Sequence, residues 1–251
     1  MSADLIEDRI DDVLLLTLNR PRRRNALTRD LIAALHDRIR FALEDAHTGA
    51  IVISGAPPAF SAGMDLSIVA ADEDGAQHCR PVLAALLDLY TGVCTAEKPI
   101  IAAVNGAAVA GGAGLVSACD IAIAAESAVI GYPEIRHGVV AAIVMPFLQR
   151  CVGQRRARHL LLTGALLSAE QALSTALVSE CTPDHRCVPR AVELAGQLAA
   201  YPQGAFARTK RIFQQTQTFD PLSESAAARD LYTQLSLTDQ ARQNLERFLD
   251  G

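Results

Sequence analysis

The segment between Gly106 and Ala124 constrains the fold more than any other part of the sequence. It reads GAAVAGGAGLVSACDIAIA and follows an apolar run, Pro99–Val104, that is typical of a buried strand. A helix that starts near Gly112, just after this strand, would present unpaired backbone N–H groups at its positive end. Glycines there would let a ligand approach the backbone. Tight packing of the helix on a strand would require the same glycines, so both interpretations stay open.

Strands alternate with helices in the first half of the chain, and helices alone are predicted afterwards. The predicted strands are Val13–Asn19, Ile51–Ser54, Pro99–Val104, Asp120–Ala125 and Ala128–Tyr132. Helices are predicted from Thr28 to about Ala46, over Leu83–Val93, from Val139 onwards with a capping box at Ser168 and Gln171, and over most of 187–215 and 222–249. Residues 70–78 are expected to form a loop. This order of elements predicts an α/β core with a helical C-terminal extension.

Composition and charge exclude several classes of protein. Half of the 251 residues are apolar, and the formal net charge is −5, which argues against a nucleic-acid-binding protein. The acidic start MSADLIEDRIDD does not resemble a signal peptide, and no apolar run is long enough to span a membrane. We therefore expect a cytoplasmic protein with reduced cysteines. Cys181, His185 and Cys187 are too few and too turn-like for a zinc site, so no metal is expected.

The glycine pattern does not match the common nucleotide or hydrolase motifs. A GxGxxG motif would need a glycine at position 117, where the chain has Ser117. Neither a GxxxxGK[ST] loop nor a GxSxG elbow occurs in the sequence. A second glycine turn, FSAGMDL at Phe60–Leu66, follows a different strand. Two backbone N–H groups from two such turns could converge on one oxygen and form an oxyanion hole.

Five segments, in this order and at this spacing, resemble the enoyl-CoA hydratase/isomerase (crotonase) family over nearly the whole chain. They are NRPRRRNAL (19–27), FSAGMDL (60–66), IAAVNGAAVAGGAGLVSACDIAIA (101–124), YPEIRHG (132–138) and LLLTGALLSAEQALSTALVSE (160–180). The resemblance implies a crotonase-type spiral of ββα units with the acyl-CoA site over residues 1–195. It also implies a C-terminal helical oligomerisation region, 196–251, that builds a homotrimer or a hexamer.

The resemblance further implies the roles of individual residues. The backbone N–H groups of Met64 and Gly111 would polarise the carbonyl of an acyl-CoA thioester. Coenzyme A would enter only as part of the substrate, without a metal or redox cofactor. Coenzyme A would be held by the basic loop, by the second glycine turn and by a C-terminal lysine, which in this family often acts from a neighbouring subunit. The CoA-binding residues that the resemblance implies are Arg22, Arg24, Ala62, Asp65, Leu66 and Lys210. As alternatives, the arginines and Lys210 could be solvated charges, and Asp65 could cap the loop.

The position of the catalytic carboxylates separates two reactions. Two-glutamate hydratases of this family carry their first glutamate where this chain has Gly114, whereas the second corresponds to Glu134. A single base suits Δ3–Δ2 isomerisation of an enoyl-CoA, and hydration of a 2-enoyl-CoA stays possible. The alternatives are a structural role for Glu134 and a non-catalytic acyl-CoA-binding protein. His137 is expected to face solvent, and the apolar residues from Val139 to Met145 could line an acyl pocket or belong to a helix core.

Overall fold

The computed structural model describes residues 4–65 and 75–216, and it contains two sheets flanked by helices. The strands are β1 (Leu5–Ile10), β2 (Val13–Leu18), β3 (Ala50–Gly55), β4 (Ala59–Ser61), β5 (Ile100–Val104), β6 (Ala107–Val109), β7 (Ile121–Ala125), β8 (Val129–Gly131), β9 (Leu166–Ser168) and β10 (Glu180–Thr182). The helices are α1 (Arg29–Glu44), α2 (Gly75–Thr95), α3 (Gly111–Ala118), α4 (Met145–Thr163), α5 (Ala169–Ser174), α6 (Cys187–Ala199) and α7 (Gln203–Thr216).

The larger sheet has the strand order β1-β2-β3-β5-β7-β10. Its pairs from β2 to β10 are parallel, and β1 pairs with β2 in the antiparallel sense. Every residue of β3 and β5 is buried. These strands are continuous apolar runs because a parallel sheet with helices on its faces is buried on both sides.

The smaller sheet, ordered β4-β6-β8-β9, takes the second strand of each repeating unit. The chain runs from β3 to β4 to α2, then from β5 to β6 to α3, and then from β7 to β8 to α4. Each unit thus contributes its first strand to one sheet and its second strand to the other. This succession of ββα units is the expected spiral, and the mixed α/β fold is confirmed.

Several local expectations hold and others do not. Thr28 caps α1 and Ser168 forms the capping box with Gln171. The expectation of helices alone after Val139 is wrong, because strands β9 and β10 lie in that region and α4 begins only at Met145. The loop predicted at 70–78 is wrong from Gly75 onwards, where α2 begins. Strands β4, β6 and β9 are three residues each, too short to produce a recognisable alternation in the sequence.

The C-terminal region is described as far as α7. The predicted helix over 222–249 lies outside the described residues, so the function of 196–251 in oligomerisation stays a prediction. No helix in the described part of the chain has the length and apolar character needed to cross a membrane.

Candidate active site

A cavity of about 470 Å³ lies where the FSAGM turn, α2, the start of α3 and the YPEIRH segment meet. Nearly all of the site residues expected from the sequence line it, namely Arg22, Arg24, Ala62, Met64, Asp65, Gly111 and Glu134. Leu66 lies outside the described residues. Elements far apart in the sequence therefore converge on one concave site, as the motifs predict.

The backbone N–H groups of Met64 and Gly111 border this cavity close to each other. A Cβ on Gly111 would lie 3.4 Å from the Met64 nitrogen, and a Cβ on Gly63 would lie 2.8 Å from the Gly111 nitrogen. Gly63 also has φ of +86°, so only glycine fits this close approach without strain. Within the part of the chain that the structure describes, neither N–H group has a hydrogen-bond acceptor. Both are available to a ligand oxygen.

A buried polar side chain that sequence reasoning missed holds the FSAGM turn. The Asn25 amide donates to the carbonyl oxygens of Ala56 and Ala59 at 2.8 and 2.7 Å. The Ser61 hydroxyl donates to the Asn25 carbonyl and accepts from the Gly63 N–H. Asn25 is completely buried, so this network positions the turn that carries Met64. In the sequence, the only feature that marks Asn25 is an amide side chain directly after a run of arginines.

The start of α3 is strained and lacks a side-chain cap. Ala110 precedes the helix at φ 51° and ψ −123°, a region that non-glycine residues rarely adopt. Its N–H donates to the Gly131 carbonyl of β8 at 2.9 Å. From α2, the Tyr90 hydroxyl donates to the Gly111 carbonyl at 2.5 Å. The surrounding structure thus holds Gly111 in place, and Tyr90 is a second residue that the sequence did not reveal.

Glu134 lines the same cavity and lies in the first turn of a short 3-10 helix, Pro133–His137. Its side-chain Oε2 is buried and has no hydrogen-bond partner among residues 4–65 and 75–216. Burial raises the pKa of Glu134 to about 7, although a hydrogen bond from its own backbone N–H opposes the shift. Such a carboxyl group exchanges a proton near neutral pH. An acid–base function for Glu134 is consistent with this burial and stays a prediction.

The space beside Gly114 is filled. A Cβ at this position would lie 2.5 Å from Val144 Cγ1 and 3.1 Å from the Tyr90 ring. A glutamate could not extend from α3 into the cavity without displacing these side chains. The first glutamate of a two-glutamate site is therefore absent from the sequence, and the packing around Gly114 leaves no space for it unless Val144 or Tyr90 moves.

Between His137 and Val144, the residues that line the cavity are apolar apart from the histidine. Val139, Val140, Ile143 and Val144 line it, so these residues belong to the pocket and not to a helix. Met145, which begins α4, is not among the lining residues. His137, which was expected to face solvent, is half-buried and lines the cavity together with Glu134.

The arginines of the basic loop fall into two groups according to their contacts. Arg22, Arg23 and Arg24 line the cavity. Arg20 instead donates to the Ala26 carbonyl and to Asp65 Oδ2, at 2.6 and 3.0 Å. The Asp65 carboxylate is therefore held by Arg20, as a loop-stabilising group would be, while the residue still borders the cavity.

Lys210 is not brought to this cavity within one chain. Its ammonium group forms an ion pair with Asp120 at 2.8 Å and lies near the Lys98 carbonyl. It lines a different, smaller cavity with Cys94, Cys119 and Cys151. Contact between Lys210 and coenzyme A stays a prediction. The expected absence of a metal also stays a prediction. In the described residues, no three metal-binding side chains form a cluster.

Comparison with known proteins decides the family. The model of the enoyl-CoA hydratase/isomerase family matches residues 8–250. The chain belongs to the enoyl-CoA hydratase/isomerase family. It is 35% identical to the 2,3-dehydroadipyl-CoA hydratase of Escherichia coli over 250 residues, which cover 98% of this chain and 96% of that protein.

Solved structures of family members agree with this fold. An enoyl-CoA hydratase/isomerase from Mycobacterium paratuberculosis superposes with a TM-score of 0.88 and 28% identity, covering 98% of this chain and 99% of the other. A monofunctional enoyl-CoA isomerase from M. smegmatis has a TM-score of 0.73 and 27% identity, with 90% and 99% coverage. The chain is thus an enzyme of a family that includes both hydratases and isomerases, and its relatives leave the choice between the two reactions open.

Proposed function

We propose that this protein isomerises a 3-enoyl-CoA to the 2-enoyl-CoA, with Glu134 as its single acid–base group. One observation carries the choice of reaction: Val144 and Tyr90 fill the space beside Gly114 where a second carboxylate would be needed. Asp65, the other carboxylate that borders the cavity, is hydrogen-bonded to Arg20. A single base is sufficient to move a double bond by one carbon.

The reaction balances with Glu134 alone. The carboxylate removes a proton from C2, and the electrons of that bond delocalise onto the thioester oxygen and the C3–C4 double bond as a dienolate. The same carboxyl group returns the proton to C4, which leaves the double bond between C2 and C3. The N–H groups of Met64 and Gly111 would stabilise the negative oxygen, and each such donor is worth roughly 3–4 kcal/mol in the barrier.

Coenzyme A would bind at the basic side of the cavity. Arg22 and Arg24 line the cavity and would offer positive charge to the 3′-phosphate and the diphosphate. Ala62 and Asp65 line the same cavity, and the adenine would pack against them. The apolar wall from Val139 to Val144 would accept a lipophilic acyl chain, which is consistent with fatty acid metabolism.

Hydration of a 2-enoyl-CoA is the second candidate, and the 35% identity to a hydratase of E. coli favours it. A hydratase must hold a water molecule, deprotonate it and deliver it to C3. Only Glu134 is suitably placed among the described residues, and the neighbouring wall at Val144 is apolar. His137 would have to provide the second polar group.

The protein would act as a trimer or as a hexamer of two trimers. Helix α7 exposes Ile212 and Phe213, with 58% and 61% of their surfaces accessible. Adjacent exposed side chains of this size favour an interface between subunits. Light scattering coupled to size exclusion would test this, since a monomer of 26.7 kDa would contradict it.

Mass spectrometry after incubation with a 3-enoyl-CoA or a trans-2-enoyl-CoA tests the function. Conversion of the 3-enoyl ester to the chromatographically separate 2-enoyl ester, without a change in mass, would support isomerisation. A product one water heavier from the 2-enoyl ester would identify a hydratase instead. No reaction with either ester, together with measurable binding of both, would indicate a non-catalytic acyl-CoA-binding protein.

A further inference from the structure

The N-terminus of α3 needs support from outside the helix. The helix has only eight residues, and three of them are glycines. Glycine is among the least favourable residues in a helix because it loses the most backbone freedom. Ala110 provides no side-chain cap and has a strained backbone. Among the described residues, no side-chain cap therefore helps to fix the direction of the Gly111 N–H.

Tyr90 provides that support from α2. Its hydroxyl contacts the Gly111 carbonyl at 2.5 Å, and the side chain is completely buried. The Tyr90 ring packs edge-on against Phe147, with 5.6 Å between the centroids and 75° between the planes. The same ring lies against Gly114, one turn further along α3. The phenol is thus held rigidly by its own contacts while it contacts the first turn of α3.

The chemistry of this hydrogen bond assigns its direction. A carbonyl oxygen has no hydrogen, so the phenol must donate its single proton to Gly111. That proton is then not available to the substrate, and Tyr90 is unsuited to replace the missing first glutamate as an acid. A Cβ on Gly111 would be 3.1 Å from the Tyr90 oxygen and 3.4 Å from the Met64 nitrogen. The Tyr90 hydroxyl therefore lies close to both N–H donors, those of Met64 and Gly111.

We propose that Tyr90 is a positioning residue, which fixes Gly111 through its carbonyl and so keeps the Gly111 N–H directed at the thioester oxygen. The inference rests on the proposed function, because it matters only if that N–H stabilises the oxygen. If the first turn of α3 moved by a few tenths of an ångström, the hydrogen bond from the Gly111 N–H would weaken more in the transition state than in the bound substrate.

The test compares Tyr90→Phe with Tyr132→Phe. Tyr132 is also buried, and its hydroxyl contacts the same helix further along, at Ser117 and the Ala113 carbonyl. Each variant loses one buried phenol hydroxyl that contacts α3, so a general loss of rigidity in α3 would affect both variants alike. We expect kcat to fall about tenfold or more in Tyr90→Phe with KM within about twofold, because donor orientation acts on the transition state. We expect both constants to stay within about twofold in Tyr132→Phe.

A spectroscopic measurement separates this inference from the proposed function. Infrared difference spectra would be recorded with trans-2-butenoyl-CoA labelled with ¹³C at the thioester carbonyl, on the E134Q background to prevent turnover. Two N–H donors should lower the carbonyl stretching frequency on binding. Part of this shift should be lost when Tyr90→Phe is added, and it should persist when Tyr132→Phe is added.

Each outcome has a separate meaning. Without any shift in E134Q itself, the proposed stabilisation by Met64 and Gly111 fails. A full shift in E134Q that is unchanged by Tyr90→Phe overturns the function of Tyr90 and leaves the proposed reaction intact. Equal losses of kcat in Tyr90→Phe and Tyr132→Phe would likewise reduce Tyr90 to a packing residue.

Discussion

Val144 Cγ1 lies 2.5 Å from the position that a Cβ would take on Gly114. The two residues are 30 positions apart in the sequence, in α3 and in the segment just before α4. Their contact explains why the helix has a glycine there, and it links the missing first glutamate to the apolar pocket wall. A carboxylate side chain at position 114 would require Val144 or Tyr90 to move.

Gly114→Ala should destabilise the protein by about 1–3 kcal/mol, because overpacking forces neighbouring side chains to move. Gly196→Ala is the matched control, since Gly196 is also within a helix and a Cβ there would meet nothing within 4 Å. That control should be neutral or slightly stabilising. Urea unfolding of both variants measures the difference. Adding Val144→Ala to Gly114→Ala should recover part of the loss, and strictly additive effects would contradict the contact.

Glu134→Gln should abolish turnover and leave the affinity for the CoA ester within about tenfold, because a neutral isostere removes the base and little of the binding. Single-turnover assays and calorimetric titration measure the two effects. Wild-type rates in this variant would rule out Glu134 as the base.

The rate should depend on pH through Glu134. Its pKa is raised to about 7 by burial, and proton removal from C2 needs the carboxylate form. The value of kcat/KM should therefore rise with pH through about 7, and at pH 5 it should be about 100-fold below its plateau. The profile in the free enzyme is measured from kcat/KM between pH 5 and 9. A half-maximal point near 4.5 would show that the carboxyl group is not desolvated as described.

Stability should depend on pH in the opposite direction. A raised pKa means that the folded protein binds this proton more tightly than the unfolded chain does, so this contribution is present at low pH and is lost as pH rises through about 7. Glu134→Gln does not titrate, and so it should gain up to ~3 kcal/mol relative to the wild type between pH 4.5 and pH 8. Urea midpoints at both pH values test this. A constant difference between the two proteins would contradict it.

The arginines that line the cavity should recognise the nucleotide part of coenzyme A. The double variant Arg22→Ala with Arg24→Ala should raise KM for an enoyl-CoA about tenfold or more, because two cations near phosphates are lost. KM for the enoyl-pantetheine ester, which lacks those phosphates, should hardly change. The control pair is Arg155→Ala with Arg156→Ala, which removes equal charge from an exposed part of α4 outside this cavity. Equal effects of the two double variants would show that only net charge matters.

Much of the fold was predictable because its signals are local, whereas the expected site residues were implied by the resemblance to the family. Buried strands such as β3 and β5 are continuous apolar runs, and caps at Thr28 and Ser168 depend on residues three positions apart. The structure also brings the motif residues Met64, Gly111 and Glu134 to one cavity. The functions of Asn25 and Tyr90 could not be predicted in the same way, since the carbonyl groups that accept from the Asn25 Nδ2 and the Tyr90 hydroxyl are 21 to 34 residues away.

The basic loop shows the same limit. Arg20, Arg22 and Arg24 look equivalent in the sequence, yet Arg20 pairs with Asp65, 45 residues away, while the other two line the cavity. Lys210 similarly pairs with Asp120 across 90 residues. Which charge is structural depends on which partner the fold brings within about 3 Å, and no local pattern contains that information.

The sequence by itself determined where glycine turns, strands and a single glutamate occur, because these depend on residue type and short-range spacing. The tertiary structure decided what they do. It buried the Glu134 carboxyl group deeply enough to raise its pKa to about 7, and it placed Val144 against Gly114 and Tyr90 against Gly111. Desolvation and packing are properties of the whole surroundings of a side chain, and those surroundings exist only once distant segments have come together.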